Sequence, residues 1–540
     1  MLCAVAPSAV AQVRHSMTKV GVINQHVLVQ ESSIDGPQSR NGPMLTPPGL
    51  LWSFNDNGQG WIGTTVALGD HGGQVFSELH KNVQAAVLLS AFDHDPASPL
   101  WSDPALNTDG RKVASSEDSD LHIAVHEVVV GLQRRVELEA YRSASSQPVW
   151  NYTFTPLIAG GSNVGVSRDG ERVVACIYNA NAARVELAIF DGEAGALLSY
   201  TLLPVTGALH AFDLSADGTT LLVTADTTLH VIDIASATVA FSVDVATSLD
   251  AAAISGDGDV LACGGFNWMR VWERNSSGTW ATTFTRFVPG SNYVGALDVS
   301  RDGSTIAYAF TYYDAFLTVR VEAFDVATKV VTMSDVVTGI GILQNIVGDV
   351  AVCADGSRFA VGLWGDAVNS VPELRYYARN QNAPLSTVDM PGSVFAVAIS
   401  PDGRHVAAAG KAVHANTLGN GGSIVLFDSG NADFRLEGLP RIGTSPVFSV
   451  HGLPGHGAWL LASEGVATTP IPAFNGGLLY LDRDRLDLFP MGPVGPGGTA
   501  DAPFAIPAVP NLVGVTLYFQ GLTLAPRAVT EDWLQVTILP

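Results

Sequence analysis

The chain has 540 residues, 47% hydrophobic and only 15% charged, with 55 Gly and 29 Pro. That mix suits many short strands joined by tight turns, in two or three domains or one large repeat array with an appendage, and excludes a protein built from long surface helices. A formal net charge of −23 excludes a surface that tracks nucleic acid or an anionic membrane, because phosphate binding needs clustered Lys and Arg.

The first residues, MLCAVAPSAVAQ, end in Ala9-Val10-Ala11 before Gln12, the small-x-small pattern of a signal-peptidase site. Residues 1–11 are therefore read as part of a signal peptide, and the protein is expected to be secreted, periplasmic or on the cell surface of a bacterium. No segment is apolar for the roughly 18 residues that a membrane span needs. Residues 12–48 are polar and read as a leader or an edge strand, VGVINQHVLVQ.

From residue 49 to 438 one short phrase recurs. It reads VGVSRDGERVVACIY from Val164, FDLSADGTTLLVT from Phe212, AAISGDGDVLACG from Ala252, LDVSRDGSTIAYA from Leu297, VAVCADGSRFAVG from Val350 and VAISPDGRHVAAA from Val397. Each is a hairpin signal: apolar stretches flank Asp-Gly, a pair tolerating positive φ in a tight turn. Asp169, Asp217, Asp257, Asp302, Asp355 and Asp402 mark steps of 48, 40, 45, 53 and 47 residues. A strand-only period of this size predicts a β-propeller with one four-stranded blade per repeat. Two weaker copies precede these, one with His71-Gly72-Gly73 in place of Asp-Gly and one with Asp109-Gly110. Counting both gives eight blades, and seven if one is an insertion; eight is the favoured number. LLWSFND, from Leu50, reads as an outer strand that closes a blade.

The third strand of each repeat tends to end in an aromatic or aliphatic residue and an acid: Phe190-Asp191, Ile232-Asp233, Trp272-Glu273, Phe324-Asp325 and Phe427-Asp428. This resembles the WD40 signature in its looser bacterial form, shared with YVTN-type and quinoprotein-type propellers, over about Leu50 to Gly438. The resemblance implies the fold; such propellers serve as scaffolds, binders and enzymes alike. The Gly-His dipeptide of stricter WD40 repeats is absent, so no buried His–Asp network is expected. Residues 441–540 lose the repeat: about seven short alternating strands between Pro- and Gly-rich turns predict a small antiparallel β-sandwich. That segment resembles the C-terminal accessory domains of secreted bacterial proteins.

Few residues read as chemistry. His122 and His126, in HIAVHE, would chelate on a helix, but the neighbours VVVGLQRRVELEA predict a strand, where residues four apart lie roughly 13 Å apart. Asp93, His94 and Asp95 fill a turn, and EDSD, Glu117 to Asp120, reads as a solvated acidic loop without an EF-hand pattern. Cys176, Cys263 and Cys353 sit inside repeats and read as small core residues. No nucleotide-binding or nucleophile motif occurs; no metal, cofactor or catalytic residue is expected, and positions nearest the axis read mostly as Val, Ala, Ile and Leu.

The stronger signal is positional. On the propeller face opposite the Asp-Gly turns, the sequence sets Trp61, His210, Asn163, Asn292 and Tyr293 before first strands. Trp268, Tyr312, Tyr313, Trp364 and His414 stand in or beside second-to-third-strand loops. Rings gathered on one rim predict a surface for a protein or a carbohydrate, with Phe266 to Trp268 and Phe310 to Asp314 foremost. The function expected is a non-enzymatic exported scaffold. The rival is a lactonase- or quinoprotein-type enzyme working at the channel mouth.

Overall fold

The computed structural model describes residues 18–23, 26–31 and 49–539, apart from short stretches (56–60, 70–72, 82–85, 94–97, 155–158, 342–344, 415–420, 430–433, 452–454, 474–477, 496–498) and scattered single or paired positions. The chain forms two compact units, one over 50–400 and 405–427, the other joining residues near the N-terminus to 428–540.

The first unit is eight four-stranded antiparallel sheets. Blades 1 to 7 span 61–106, 108–153, 159–203, 209–244, 251–287, 292–338 and 347–388, each running a, b, c, d from the axis outward. Blade 8 takes strands a to c from Val394–Ile399, His405–Lys411 and Gly422–Asp428, and its outer strand d from Gly49–Asn55, which holds the LLWSFN stretch. Each strand a packs on the next, and that of blade 8 packs on that of blade 1, so the ring closes. This is an eight-bladed β-propeller.

Burial follows position in the blade. Strand b of blade 3, Arg172–Asn179, is almost wholly buried, whereas the outer strand Thr238–Asp244 alternates exposed and half-buried. A strand such as Arg172–Asn179, covered on both faces by neighbouring blades, carries a long apolar run, whereas outer strands need apolar residues on one face only.

The recurring turn has a specific chemistry. Ser167, Ser215, Ser255 and Ser300 each donate Oγ–H to the Asp two residues on, at 2.6 Å. Each Asp also accepts the backbone N–H two residues further, and the following glycine has φ between +67° and +78° in all six clear copies. Positive φ thus falls on Gly alone, and Asp acts as acceptor. Cys353 takes the serine's place, its Sγ 3.0 Å from Asp355.

Two expectations are corrected here. Asp109-Gly110 lies inside strand a of blade 2, Thr108–Ser115, and the turn of that blade begins at Ser116, whose N–H bonds Leu121 O as Ser167 N–H bonds Arg172 O. Asp-Gly appears there by chance, because it lacks the preceding serine. The EDSD loop is that turn, and it is not simply solvated: Glu117 pairs with Arg168 of blade 3 and with Arg301 of blade 6, four blades away across the ring. In blade 1 the chain turns between Gly69 and Gln74; His71 and Gly72 themselves lie outside the described residues, as do His94 and Asp95.

The second unit is a β-sandwich. A sheet of Phe434–Glu437, Val447–His451 and Thr499–Pro503 faces a six-stranded sheet that includes Gly457–Ser463, Thr516–Leu524 and Arg527–Thr537. Phe434, Phe448 and Val450 meet Leu460, Phe519 and Leu534 in the core between them. Phe434–Glu437, expected within the propeller, pairs instead with Val447–His451, because blade 8 already has its outer strand. The hairpin Thr18–Ile23/His26–Glu31 extends the larger sheet through Glu31 opposite Val536.

Candidate binding rim

The b–c and d–a connections emerge opposite the Ser-x-Asp-Gly turns. In blade 5, Gly265 pairs with Trp268 across a two-residue turn, Phe266-Asn267, with Asn267 at φ +64°. Asn tolerates that value because its short polar side chain can bond locally. Its Oδ1 accepts Asn292 N–H at 3.0 Å, and its own N–H reaches Asn292 O at 2.9 Å, so the blade 5 loop is bolted to blade 6. The Phe266 ring is left 46% exposed.

Blade 6 supplies the neighbours. Tyr313, 47% exposed, is fixed by its N–H to Ser291 O. Its ring lies 6.0 Å from Phe266, 5.4 Å from Tyr293 and 5.1 Å from Phe316. Phe316 sits at φ +57°, and Asp314 Oδ1 accepts from Leu317 N–H at 3.1 Å, holding the loop in that conformation. Further along, Ile340 and Val368 are exposed in loops joined through Asp366, whose carboxylate accepts Ile340 N–H at 2.6 Å and Ser370 N–H at 2.7 Å. Against the desolvation that burial imposes, these bonds hold the Asp366 carboxyl below its usual range. The result is an aromatic and apolar arc over blades 5 to 7.

The other rim residues divide. Tyr293 joins the arc, and Tyr312 is half-buried against the core beneath it. Trp268 does not present its ring: it is 7% exposed, inside the core, with the Arg270 guanidinium 4.8 Å above it. Trp61 is half-buried beneath Lys81 in the blade 8 and blade 1 cluster, and His210 is exposed with Nε2 4.0 Å from Asp226. Trp364 packs edge-on to Phe395 at 5.4 Å, with Lys411 Nζ 5.3 Å from its centroid. Beside them His414 Nδ1 stands 2.9 Å from Oε1 of Glu373, a wholly buried carboxyl that burial pushes up to about 8. Burial lowers His414 at the same time, so desolvation works against the charged form of both partners.

One feature escaped sequence reasoning. Asp213, Asp298 and Asp349 stand half-buried on strands a, and each accepts a backbone N–H from the next blade: Ile254 at 2.8 Å, Val352 at 2.7 Å and Val397 at 2.9 Å. Lys112 reaches from blade 2 to Phe212 O of blade 4 at 3.3 Å. The axis is therefore not lined by aliphatic residues alone. Desolvation, and for Asp298 the charge of Asp213, raise these acids to about 6, about 8 and about 6 in chain order. Their only signal in the sequence is an acid two or four residues before the turn Ser or Cys.

His122, on strand b of blade 2, spends its ring on structure: Nδ1 meets Ser115 Oγ at 2.8 Å, Nε2 meets Ser143 Oγ at 2.7 Å and Asp120 Oδ1 at 3.2 Å, and the ring stacks on Phe76. A buried His thus pairs with a partly exposed Asp in this blade without a Gly-His dipeptide.

Together the ring and its rim define a β-propeller protein. No family model and no curated protein matches the chain. Among solved structures, a chain in the crystal structure of a mitotic checkpoint complex is similar over 59% of this chain and 86% of that one, at 16% identity and a TM-score of 0.41. A likeness of that size bears on neither partner nor activity. No helix among the described residues is long and apolar enough to cross a membrane.

Proposed function

We propose that the protein is a non-enzymatic scaffold, acting outside the bacterial cytoplasm, that docks a protein partner on the arc formed by Phe266, Tyr293, Tyr313 and Phe316. The observation that carries this is the exposure of Phe266 and Tyr313 on loops braced by hydrogen bonds from the backbone N–H groups of Asn267, Tyr313 and Leu317. Rigid aromatic rings give large contact at small entropic cost, which is where interface energy concentrates. The exposed Asp314 flanks the rings and the chain carries a net charge of −23, so the partner presents apolar side chains ringed by basic ones. The export reading is supported by Ala9-Val10-Ala11 alone.

The test compares wild type with a Phe266→Ala, Tyr313→Ala double variant, in cross-linking against extracellular protein and on a glycan array. Loss of a cross-linked partner in the variant, with an unchanged melting curve, supports the reading. Partners retained by the variant discard it, and wild-type binding confined to glycans would replace the protein partner with a carbohydrate. A second reading, chemistry inside the channel, draws on the acids Asp213, Asp298 and Asp349. Hydrolysis of a lactone or ester by wild type but not by Asp298→Asn would favour it.

A further inference from the structure

Strand b of blade 2, His122–Val130, and strand c, Gln133–Arg142, are paired so that His126 stands opposite Glu137. Side chains two apart on a strand share a face, so Glu139 joins Glu137 beside the imidazole. Ligand atoms of His126, Glu137 and Glu139 all lie within 4.8 Å of one another, and His126 Nε2 is 2.9 Å from Glu139 Oε2. The same Glu139 oxygen accepts Tyr141 O–H at 2.6 Å, and Arg135 holds Glu137 at 2.5 Å. Both carboxylates keep side-chain exposure above one-fifth, at 21% for Glu137 and 23% for Glu139, so water reaches this face.

A second observation comes from blade 1. Glu78, on strand Gln74–Lys81, has a side chain with no exposed surface, and neither of its carboxylate oxygens has a hydrogen-bond partner among the described residues. Its Oε2 points at the other imidazole nitrogen, Nδ1 of His126, 3.9 Å away; that nitrogen likewise has no hydrogen-bond partner. A buried, unpaired carboxylate is costly unless something nearby compensates it.

We propose that His126 Nε2, Glu137 and Glu139 bind a divalent transition-metal ion such as Zn²⁺, with Glu78 accepting the Nδ1–H of His126 from behind. Metal-bound imidazoles regularly donate their second N–H to a carboxylate, which fixes the tautomer and raises the ring's basicity. Glu78, unexplained by anything else nearby, has the position for that role. Imidazole suits Zn²⁺, two carboxylates are compatible with it, and three protein ligands leave a coordination position for water. The alternative occupant is a proton, leaving an imidazolium between Glu78 and Glu139.

Chelator-treated protein is titrated with Zn²⁺ by calorimetry, with Ca²⁺ in parallel and Co²⁺ absorption as a ligand-field readout. The expected result is one micromolar Zn²⁺ site per chain, no Ca²⁺ site of similar strength, and a Co²⁺ spectrum that disappears in Glu139→Gln. Glu78→Gln should weaken Zn²⁺ roughly 10- to 100-fold. Glu137→Gln, at a partly exposed position that leaves the core intact, should weaken it while far-ultraviolet dichroism and melting of the chelated protein stay unchanged. Wild-type protein without a micromolar Zn²⁺ site, or Zn²⁺ binding indifferent to Glu137→Gln and Glu139→Gln, overturns the proposal in favour of the proton.

Discussion

The two ends of the propeller ring differ in how they are made. At the turn end the same chemistry repeats, Ser to Asp to backbone with Gly at positive φ, and successive turns are stitched by Arg168 N–H to Ala216 O, Gly256 N–H to Arg301 O and Asp302 N–H to Ala354 O. Glu117 and Arg301 then pair across the axis. At the opposite rim no two loops described above are alike: a two-residue turn in blade 5, a loop folded around Asp314 in blade 6, one folded around Asp366 in blade 7. Repetition marks the end that holds the ring together, and its absence marks the end free to acquire a partner.

The largest test of that contrast lies just below the rim. Phe310, with no exposed surface, packs in the core shared by blades 5 and 6. Phe310→Ala should cost roughly 3–5 kcal/mol in chemical denaturation, showing that the rim's freedom ends one layer down; a loss near zero would break the contrast. At the turn end, a Cβ on Gly356 would come 2.4 Å from Thr305 Oγ1 at φ +68°. Gly356→Val should therefore cost about 1–3 kcal/mol, and a neutral outcome would deny the turns their holding role.

The smallest effect concerns the axis and pH. Asp298 rises from the ordinary 3.8 to about 8, and Glu373 from 4.5 to about 8. Between those limits the folded protein holds protons that the unfolded chain has released, so stability falls as pH rises through the window and is recovered on acidification toward pH 4. Melting temperature should decline from pH 5 to pH 8, and Asp298→Asn should flatten the decline. A melting temperature rising over that range contradicts the assignment.

How much of this was legible in the sequence follows from how local each feature is. The turn phrase is a short-range device, so blade period and eightfold count could be read, and LLWSFN could be recognised as an outer strand by its resemblance to others. Asp109-Gly110 misled because a two-residue match ignores the serine that gives the turn its hydrogen bonds. Phe266 and Tyr313 lay in stretches singled out for their loop position, but Trp268, the first strand residue after the Phe266-Asn267 turn, packs into the core, and loop position alone does not tell which way a residue at the strand boundary faces. The acids on strands a were missed because alternation does not reveal which face meets the axis. The set of Glu78, His126, Glu137 and Glu139 is gathered by strand register and by contact between blades, and no spacing along the chain announces it.

The outer strand of blade 8 has a consequence for synthesis. Gly49–Asn55 leaves the ribosome before every other strand of the ring, yet its partner Gly422–Asp428 comes last. The first-made strand must wait, through translation of seven intervening blades, with its backbone donors and acceptors open to any passing edge. A nascent chain that stalls before residue 422 is then a ring with two sticky ends, primed to borrow a neighbour's strand, and a chaperone that shields this one segment would protect the whole assembly line.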